Sequence, residues 1–328
     1  MKKKMRVMTE KPLNAETPIE SLRTWTTDNE VFFKRNQGQI MKRPVRLAAW
    51  KLSIEGLVEN SLALTFEDIR HMPKVVVANT LECSGNSRSL LQKKASGNPW
   101  TVGGVGNAIW GGIWLKDLLD KAGLRKRAKH ISFEGLDKPL GSSGIKFVRS
   151  IPLEKAMAST LLAYEMNGQP LPSKHGYPLR VLLPGRYGMK QPRWLEKIVI
   201  TTSDESGYWE KRGWSDSALI NPLSRIDSAK PIGRGLWKVT GIAFCGNQAV
   251  GSVDLSVDGG ETWRRARFTS SAQRHVWTTW EVDWRPSQDG EHILAVRVTD
   301  QDGRKQEEDF DGAFASGSTG LHRVVVKV

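Results

Sequence analysis

After Pro222 the pattern of the chain changes, and that change limits the possible folds more than any other feature. "LWKVTGIAF", "GSVDLSVDGGETWRRARF", "VWTTWEVDW", "EHILAVRVTD" and "HRVVVKV" read as strands spaced by turn residues, with no helical periodicity between them. "SVDGGETW" reads as a hairpin, because Asp258-Gly259-Gly260 permits the positive φ at which strands reverse. Short strands at this spacing predict a β-sandwich of about 100 residues, of immunoglobulin-like size. "NPLSRIDSAKPIGRG" reads as the linker into it.

From Trp50 to about Trp209 short strands and helices alternate irregularly. "AWKLSIEGLV" alternates like a strand, and "LTFEDIRHM" opens with Thr65 as a helix cap followed by acidic residues. "KVVVANTLEC" is a β-branched strand ending at Cys83. "IWLKDLLDKAGL" reads as a short amphipathic helix with Gly123 near its end, and "LRVLLPG" and "EKIVITT" as buried strands. Such irregular alternation predicts an α+β fold rather than a βαβ repeat. The expected division is an N-terminal arm of little regular structure (1–29), a mixed α/β domain (30–222) and the sandwich (223–328).

No apolar run approaches the roughly 18–20 residues that span a bilayer. The basic start, Met1-Lys2-Lys3-Lys4-Met5-Arg6, has no apolar stretch behind it and does not read as a secretory signal. Cytoplasmic residence is the expectation, or periplasmic if a leader has been removed. Lysine and arginine number 49 against 35 aspartate and glutamate, a net charge of +14. Such a charge attracts nucleic acid, small anions or an acidic partner. The basic residues are scattered, however, without the basic helix or aromatic–glycine motif of a nucleic-acid reader.

The two cysteines, Cys83 and Cys245, build no disulfide framework and no paired metal spacing. No CxxCH occurs, which excludes a covalently held c-type haem. Cys83 ends a strand and is followed by Ser84-Gly85-Asn86-Ser87 and then Arg88. A thiolate is a soft ligand for a transition metal, a nearby guanidinium favours the ionised sulfur, and Gly85-Asn86 lets the backbone approach a bulky group. Taken alone, a lone cysteine is more commonly a small buried residue. Cys245, after Phe244 in a sandwich strand, reads as structural.

The run T-L-E-C-S-G-N-S-R around Cys83 resembles the molybdenum-ligand segment of the sulfite oxidase family, in its haem-free bacterial form. "FFKRNQ" (32–37), "GGVGNAIWGGIWLKDLL", "LLAYEMNGQPLPSKHGYPLRVLLPGRYGMKQPRWLEKI", "SVDGGETW" and "HRVVVKV" are similar to further family landmarks, in the same order. The resemblance spans about residues 30–328. It implies molybdenum–molybdopterin as cofactor, with no haem or flavin in the chain, and a C-terminal dimerisation domain.

Carried over position by position, Cys83 would be the thiolate on molybdenum. Arg35 and Arg88 would bind the anionic substrate, Tyr164 would hydrogen-bond near the metal, and Trp110 would line the substrate pocket. His175 and Arg180 would hold the phosphate end of molybdopterin. Lys190, Arg193 and Asp137 would be further cofactor contacts, with Phe33 and Asn36 beside them. Two positions depart from the family: Gln37 stands where it has histidine, and Phe314 where it often has a pocket arginine. The implied activity is oxidation of sulfite to sulfate by oxygen-atom transfer, in a homodimer that passes electrons to an external acceptor protein. Two alternatives stand beside it: reduction of nitrate or an S- or N-oxide, and a basic nucleic-acid- or partner-binding protein on a degenerate scaffold.

Overall fold

The computed structural model describes residues 4–36, 45–91, 97–137, 148–204, 211, 213, 215–309, 316, 317 and 319–328. It opens with an antiparallel hairpin, β1 (Arg6–Glu10) and β2 (Leu13–Glu16). The expectation of an irregular arm is corrected here. Thr17 N–H donates to the Gly103 carbonyl at 3.0 Å, and Ala15 and Lys34 exchange backbone bonds of 2.8 and 2.9 Å. These long-range contacts order a segment whose own residue pattern carries little signal.

Ten strands follow before the change of pattern. They are β3 (Leu52–Gly56), β4 (Leu62–Leu64), β5 (Val75–Glu82), β6 (Val105–Trp114) and β7 (His130–Gly135). Then come β8 (Val148–Pro152), β9 (Leu161–Met166), β10 (Gln169–Pro170), β11 (Arg180–Leu182) and β12 (Leu195–Thr201). One sheet runs β10-β9-β6-β5, with β11 also on β9; another runs β4-β3-β12-β7-β8, with β3 and β12 parallel. The helices are short: α1 (Phe66–Arg70), α2 (Leu115–Ala122) and α3 (Leu153–Ser159).

Local chemistry explains these helices. Thr65 and Asp68 form a reciprocal capping box on α1, as the sequence predicts. In α2, Leu115, Leu118, Leu119 and Ala122 repeat at helical spacing and are all buried. Each buried leucine contributes about 1.5–3 kcal/mol. Gly123, at φ 69°, ends the helix in a conformation that costs a side-chain-bearing residue strain.

The remaining strands are β13 (Leu223–Gly233), β14 (Leu236–Phe244), β15 (Val250–Ser256), β16 (Arg264–Arg265), β17 (Arg267–Phe268), β18 (Thr278–Trp284), β19 (Glu291–Asp300) and β20 (His322–Lys327). They form two four-stranded sheets, β13-β14-β18-β17 and β16-β15-β19-β20. Val239, Trp280 and Val282 of the first sheet share a core with Val253, Leu255 and Val296 of the second. The predicted linker is corrected: "LSRIDSAKPIG" is the long edge strand β13. It tolerates Pro231 because an edge strand leaves one row of amides unpaired, and two register shifts absorb its irregular residues.

The strand-only half touches the half that carries Cys83. Trp277 N–H donates to the Thr80 hydroxyl at 2.9 Å, and Arg225 Nη1 donates to the Val102 carbonyl at 2.8 Å. Leu22, Val105, Tyr187, Ile242, Phe244 and Trp277 form one apolar cluster across the junction. Among the described residues no helix is long and apolar enough to cross a membrane.

Candidate active site

Strand β5 delivers Cys83 into a tight turn. Asn86 N–H donates to the Cys83 carbonyl at 2.8 Å, and Ser87 adopts a left-handed conformation, φ 66°, so that the chain can reverse. The turn is tied to the start of β6. Cys83 N–H donates to Gly104 O at 2.8 Å, Gly104 N–H donates to Asn86 Oδ1 at 3.0 Å, and Asn86 Nδ2 donates to Glu82 Oε1 at 3.1 Å. Gly85 lets the turn sit close to its neighbours: a Cβ there would stand 2.9 Å from the Arg88 guanidinium, which would have to move aside, and 3.2 Å from the Trp100 ring. Its N–H points at the Cys83 sulfur, 3.4 Å away.

Cys83 is half-buried. Burial pushes its thiol up; Arg35, the Gly85 amide and Arg88 pull it back toward the thiolate. Arg35 is the stronger of the two arginines, although Arg88 is nearer in sequence. The neighbouring Glu82 is buried, and that burial lifts its carboxyl to about 8.

The cations assemble around Arg35 and Asn36. Arg193 Nη2 donates to the Arg35 carbonyl at 3.0 Å and to Asn36 Oδ1 at 2.6 Å, and Arg193 Nη1 donates to the Lys174 carbonyl at 2.8 Å. Arg180 Nη1 donates to the His175 carbonyl at 3.0 Å, and the His175 ring meets the Asn29 carbonyl at 3.1 Å. Phe33 stacks on Phe32, and the edge of Phe32 meets His175. Burial pulls Arg180 down to about 9 and Arg193 to about 10, and holds His175 well below its ordinary value, hence neutral. The Asp137 carboxylate favours the charged form of Arg193; burial pushes Asp137 itself up, and among the described residues its Oδ1 has no hydrogen-bond partner.

Phe33, Arg35, Asn36, Cys83, Arg88, Asp137, His175, Arg180 and Arg193 are thus brought together, and three expected residues are not. Tyr164 is corrected: along β9 Leu161 and Ala163 face the aromatic cluster beside Cys83, while Tyr164 faces the other core and meets Phe66 edge-on at 6.0 Å. The two-residue period of a strand turns it away from the thiol. Trp110 lies beneath Arg180, 5.1 Å from its guanidinium, with its N–H already donated to the Asn79 carbonyl at 3.1 Å. It is a core aromatic. Lys190 is buried against Asp216 at 2.6 Å and the Ser150 carbonyl at 3.1 Å, so its charge is met within the chain. Gln37 and Phe314 lie outside the described residues.

Trp100 is the aromatic that sequence reasoning missed. It is fully buried against the Cys83 turn and Phe33, and its indole N–H has no partner. Lys34 was also passed over: its ammonium donates to the Glu30 and Phe32 carbonyls, and burial brings it down to about 8. No sequence period marks Trp100. Lys34 is adjacent to Arg35 and could have been weighed with it.

Arg180 and Arg193, whose charges disfavour each other where burial already costs them, suit a dianion such as a phosphate ester. The unpartnered Arg180 Nε supplies a donor for it. Among the described residues no group of three or more His, Cys, Asp or Glu is placed to hold a metal ion.

The chain is similar to known proteins along its length. Residues 39–209 match the oxidoreductase molybdopterin binding domain, and residues 217–327 match the Mo-co oxidoreductase dimerisation domain. The chain is 30% identical to the sulfite oxidase of Arabidopsis thaliana, over 99% of this chain and 94% of that protein. It is 34% identical to the mitochondrial sulfite oxidase of Rattus norvegicus, over 85% of this chain and only 56% of the rat protein. Among solved structures, the sulfane dehydrogenase SoxCD of Paracoccus pantotrophus superposes with a TM-score of 0.85 at 27% identity, over 99% of this chain and 88% of that one.

Proposed function

The chain belongs to the sulfite oxidase family of molybdopterin oxidoreductases, and from that premise we propose that it oxidises sulfite to sulfate and passes the electrons to an external acceptor protein. The observation that carries this reading is the pairing of a lone strand-end thiol with two nearby arginines and a buried cluster of further cations. In this reading Cys83 holds the molybdenum. Arg180, Arg193 and His175 hold the phosphate end of molybdopterin, with Asp137, Asn36 and Phe33 around it. When bound, the molybdenum cofactor would supply oxygen-atom transfer to sulfur and a sink for the electron pair, so that sulfite and water give sulfate, two protons and two electrons.

The chain's own residues bind and orient the anion. Arg35 and Arg88 offer positive charge in a partly desolvated pocket, which a sulfite dianion needs, and the Trp100 N–H offers a further donor. Neutral His175 donates or accepts without adding charge. The two-sheet C-terminal region supports reading it as an immunoglobulin-like dimerisation domain beyond an α+β cofactor domain, and hence a two-fold homodimer.

The test is sulfite-dependent reduction of an artificial dye by protein of known molybdenum content. One molybdenum per chain with sulfite turnover is expected. Molybdenum-loaded protein that reduces no dye with sulfite would overturn the substrate assignment.

A further inference from the structure

The N-terminal hairpin lies outside both matched domains, yet it reaches the residues that meet the anion. Asn14, on β2, is 3% exposed and every polar atom of its side chain is used. Its Nδ2 donates back into the hairpin, to the Thr9 hydroxyl at 2.7 Å and the Pro12 carbonyl at 3.1 Å. Those two bonds fix which way the amide faces, so its oxygen must point outward from the hairpin. Oδ1 accepts from Asn36 N–H at 2.7 Å and from Arg35 Nη1 at 3.4 Å, and the same Nη1 also donates to the Asn36 carbonyl that Asn14 thereby fixes. Asn36 is further tied to the hairpin through the Leu13 carbonyl, and its own Oδ1 receives Arg193. Two buried amides therefore stand between the hairpin and the guanidiniums, Asn14 at Arg35 and Asn36 at Arg193.

We propose that Asn14 is a positioning residue: its side-chain oxygen, locked by the hairpin, holds Arg35 beside the Cys83 sulfur and thereby sets the affinity for a tetrahedral or pyramidal oxyanion. This rests on the reading of Arg35 as an anion-binding group. A neutral amide is the required chemistry. It accepts from Arg35 without cancelling its charge, whereas a carboxylate would pair with Arg35 and compete with the incoming anion. The hairpin thereby becomes part of the site.

The test uses the full molybdenum-loaded chain, with sulfate as probe in titration calorimetry beside KM and kcat for sulfite. Asn14→Ala removes one of the two acceptors of Arg35 Nη1 and the acceptor of the Asn36 N–H, and sulfate Kd and sulfite KM should rise about five- to tenfold, with kcat changed less. Asn14→Asp keeps an acceptor oxygen but adds charge, and should bind sulfate more weakly than Asn14→Ala. A merely structural acceptor predicts the reverse order. Should Asn14→Asp fail to fold, a double-mutant cycle decides: in an Arg35→Met background, Asn14→Ala should cost little further affinity. Additive losses, an Asn14→Asp protein that binds sulfate like wild type, or wild type with no sulfate binding would each overturn the proposal. Wild type that binds sulfate but turns over no sulfite removes only the proposed activity. Sulfite turnover with unchanged affinity in both variants removes only the role of Asn14.

Discussion

Arg193 Nη2 lies 3.0 Å from the backbone carbonyl of Arg35, so a residue read as a cofactor contact holds in place the residue read as an anion binder. The same guanidinium reaches Asn36 and Lys174. A lysine ammonium is a point charge on a flexible stem and cannot span three such acceptors in one plane. Arg193→Lys should therefore lower molybdenum content and raise sulfite KM together, each by about threefold or more. Metal analysis beside steady-state kinetics checks it. A rise in KM alone would mean that Arg193 serves only Arg35.

The thiol prediction is sharper. In Cys83→Ser a harder, poorly ionised hydroxyl replaces the thiolate, and dye reduction should fall by at least about a hundredfold while circular dichroism is unchanged. Cys245 is buried in the sandwich core, with burial pushing its thiol up to about 12. Cys245→Ser should leave turnover nearly intact and cost about 1–3 kcal/mol of stability, because a hydroxyl enters an apolar site. Full activity in Cys83→Ser would remove the metal assignment.

Trp100 offers a test that a purely structural role would fail. Its indole N–H is buried without a partner, so Trp100→Phe removes an unmet donor. If the N–H only packs, the variant should be as stable as wild type and bind sulfite equally well. If it donates to the anion, sulfite KM should rise about three- to tenfold with the melting temperature unchanged. We expect the second outcome, since the ring borders Gly85 in the Cys83 turn.

What the sequence made legible follows local physics. The Thr65 cap, the leucine spacing of α2 and the β-branched run of β5 each carry their own signal, and each element forms where it is expected. The turn after Cys83 was legible because small, turn-prone residues follow a strand there, whereas the metal-ligand reading of Cys83 came from the family resemblance and not from the local pattern. The hairpin at residues 6–16 and the strand β13 were not, because both are fixed by partners distant in sequence. The aromatics failed for a related reason. Tyr164 and Trp110 stand inside motifs, but the facing of a strand residue depends on its register, and Trp100 reaches the site only through the fold of its loop.

The last prediction concerns acid. His322, on β20, is half-buried, and its Nδ1 accepts from Ile226 N–H at 3.1 Å, which requires the neutral ring. Burial, with the nearby Arg225 guanidinium, brings it down to about 4. Arg225 itself is paired with Asp227 in the interior, so a second cation at His322 would face no free carboxylate there. Between about pH 6.5 and 4 the unfolded chain takes up a proton at this histidine that the folded chain refuses. The stabilising contribution is thus complete above pH 6.5 and is lost as pH falls toward 4. From pH 7 to 5 the loss from this residue is about 2 kcal/mol. His322→Gln keeps an acceptor for Ile226 and cannot titrate, so urea unfolding at pH 7 and pH 5 should differ less in the variant, by about that amount. The remaining pH dependence belongs to buried groups such as His175, which burial also holds neutral. Equal pH dependence in wild type and His322→Gln would show that His322 takes up its proton in the folded state without cost.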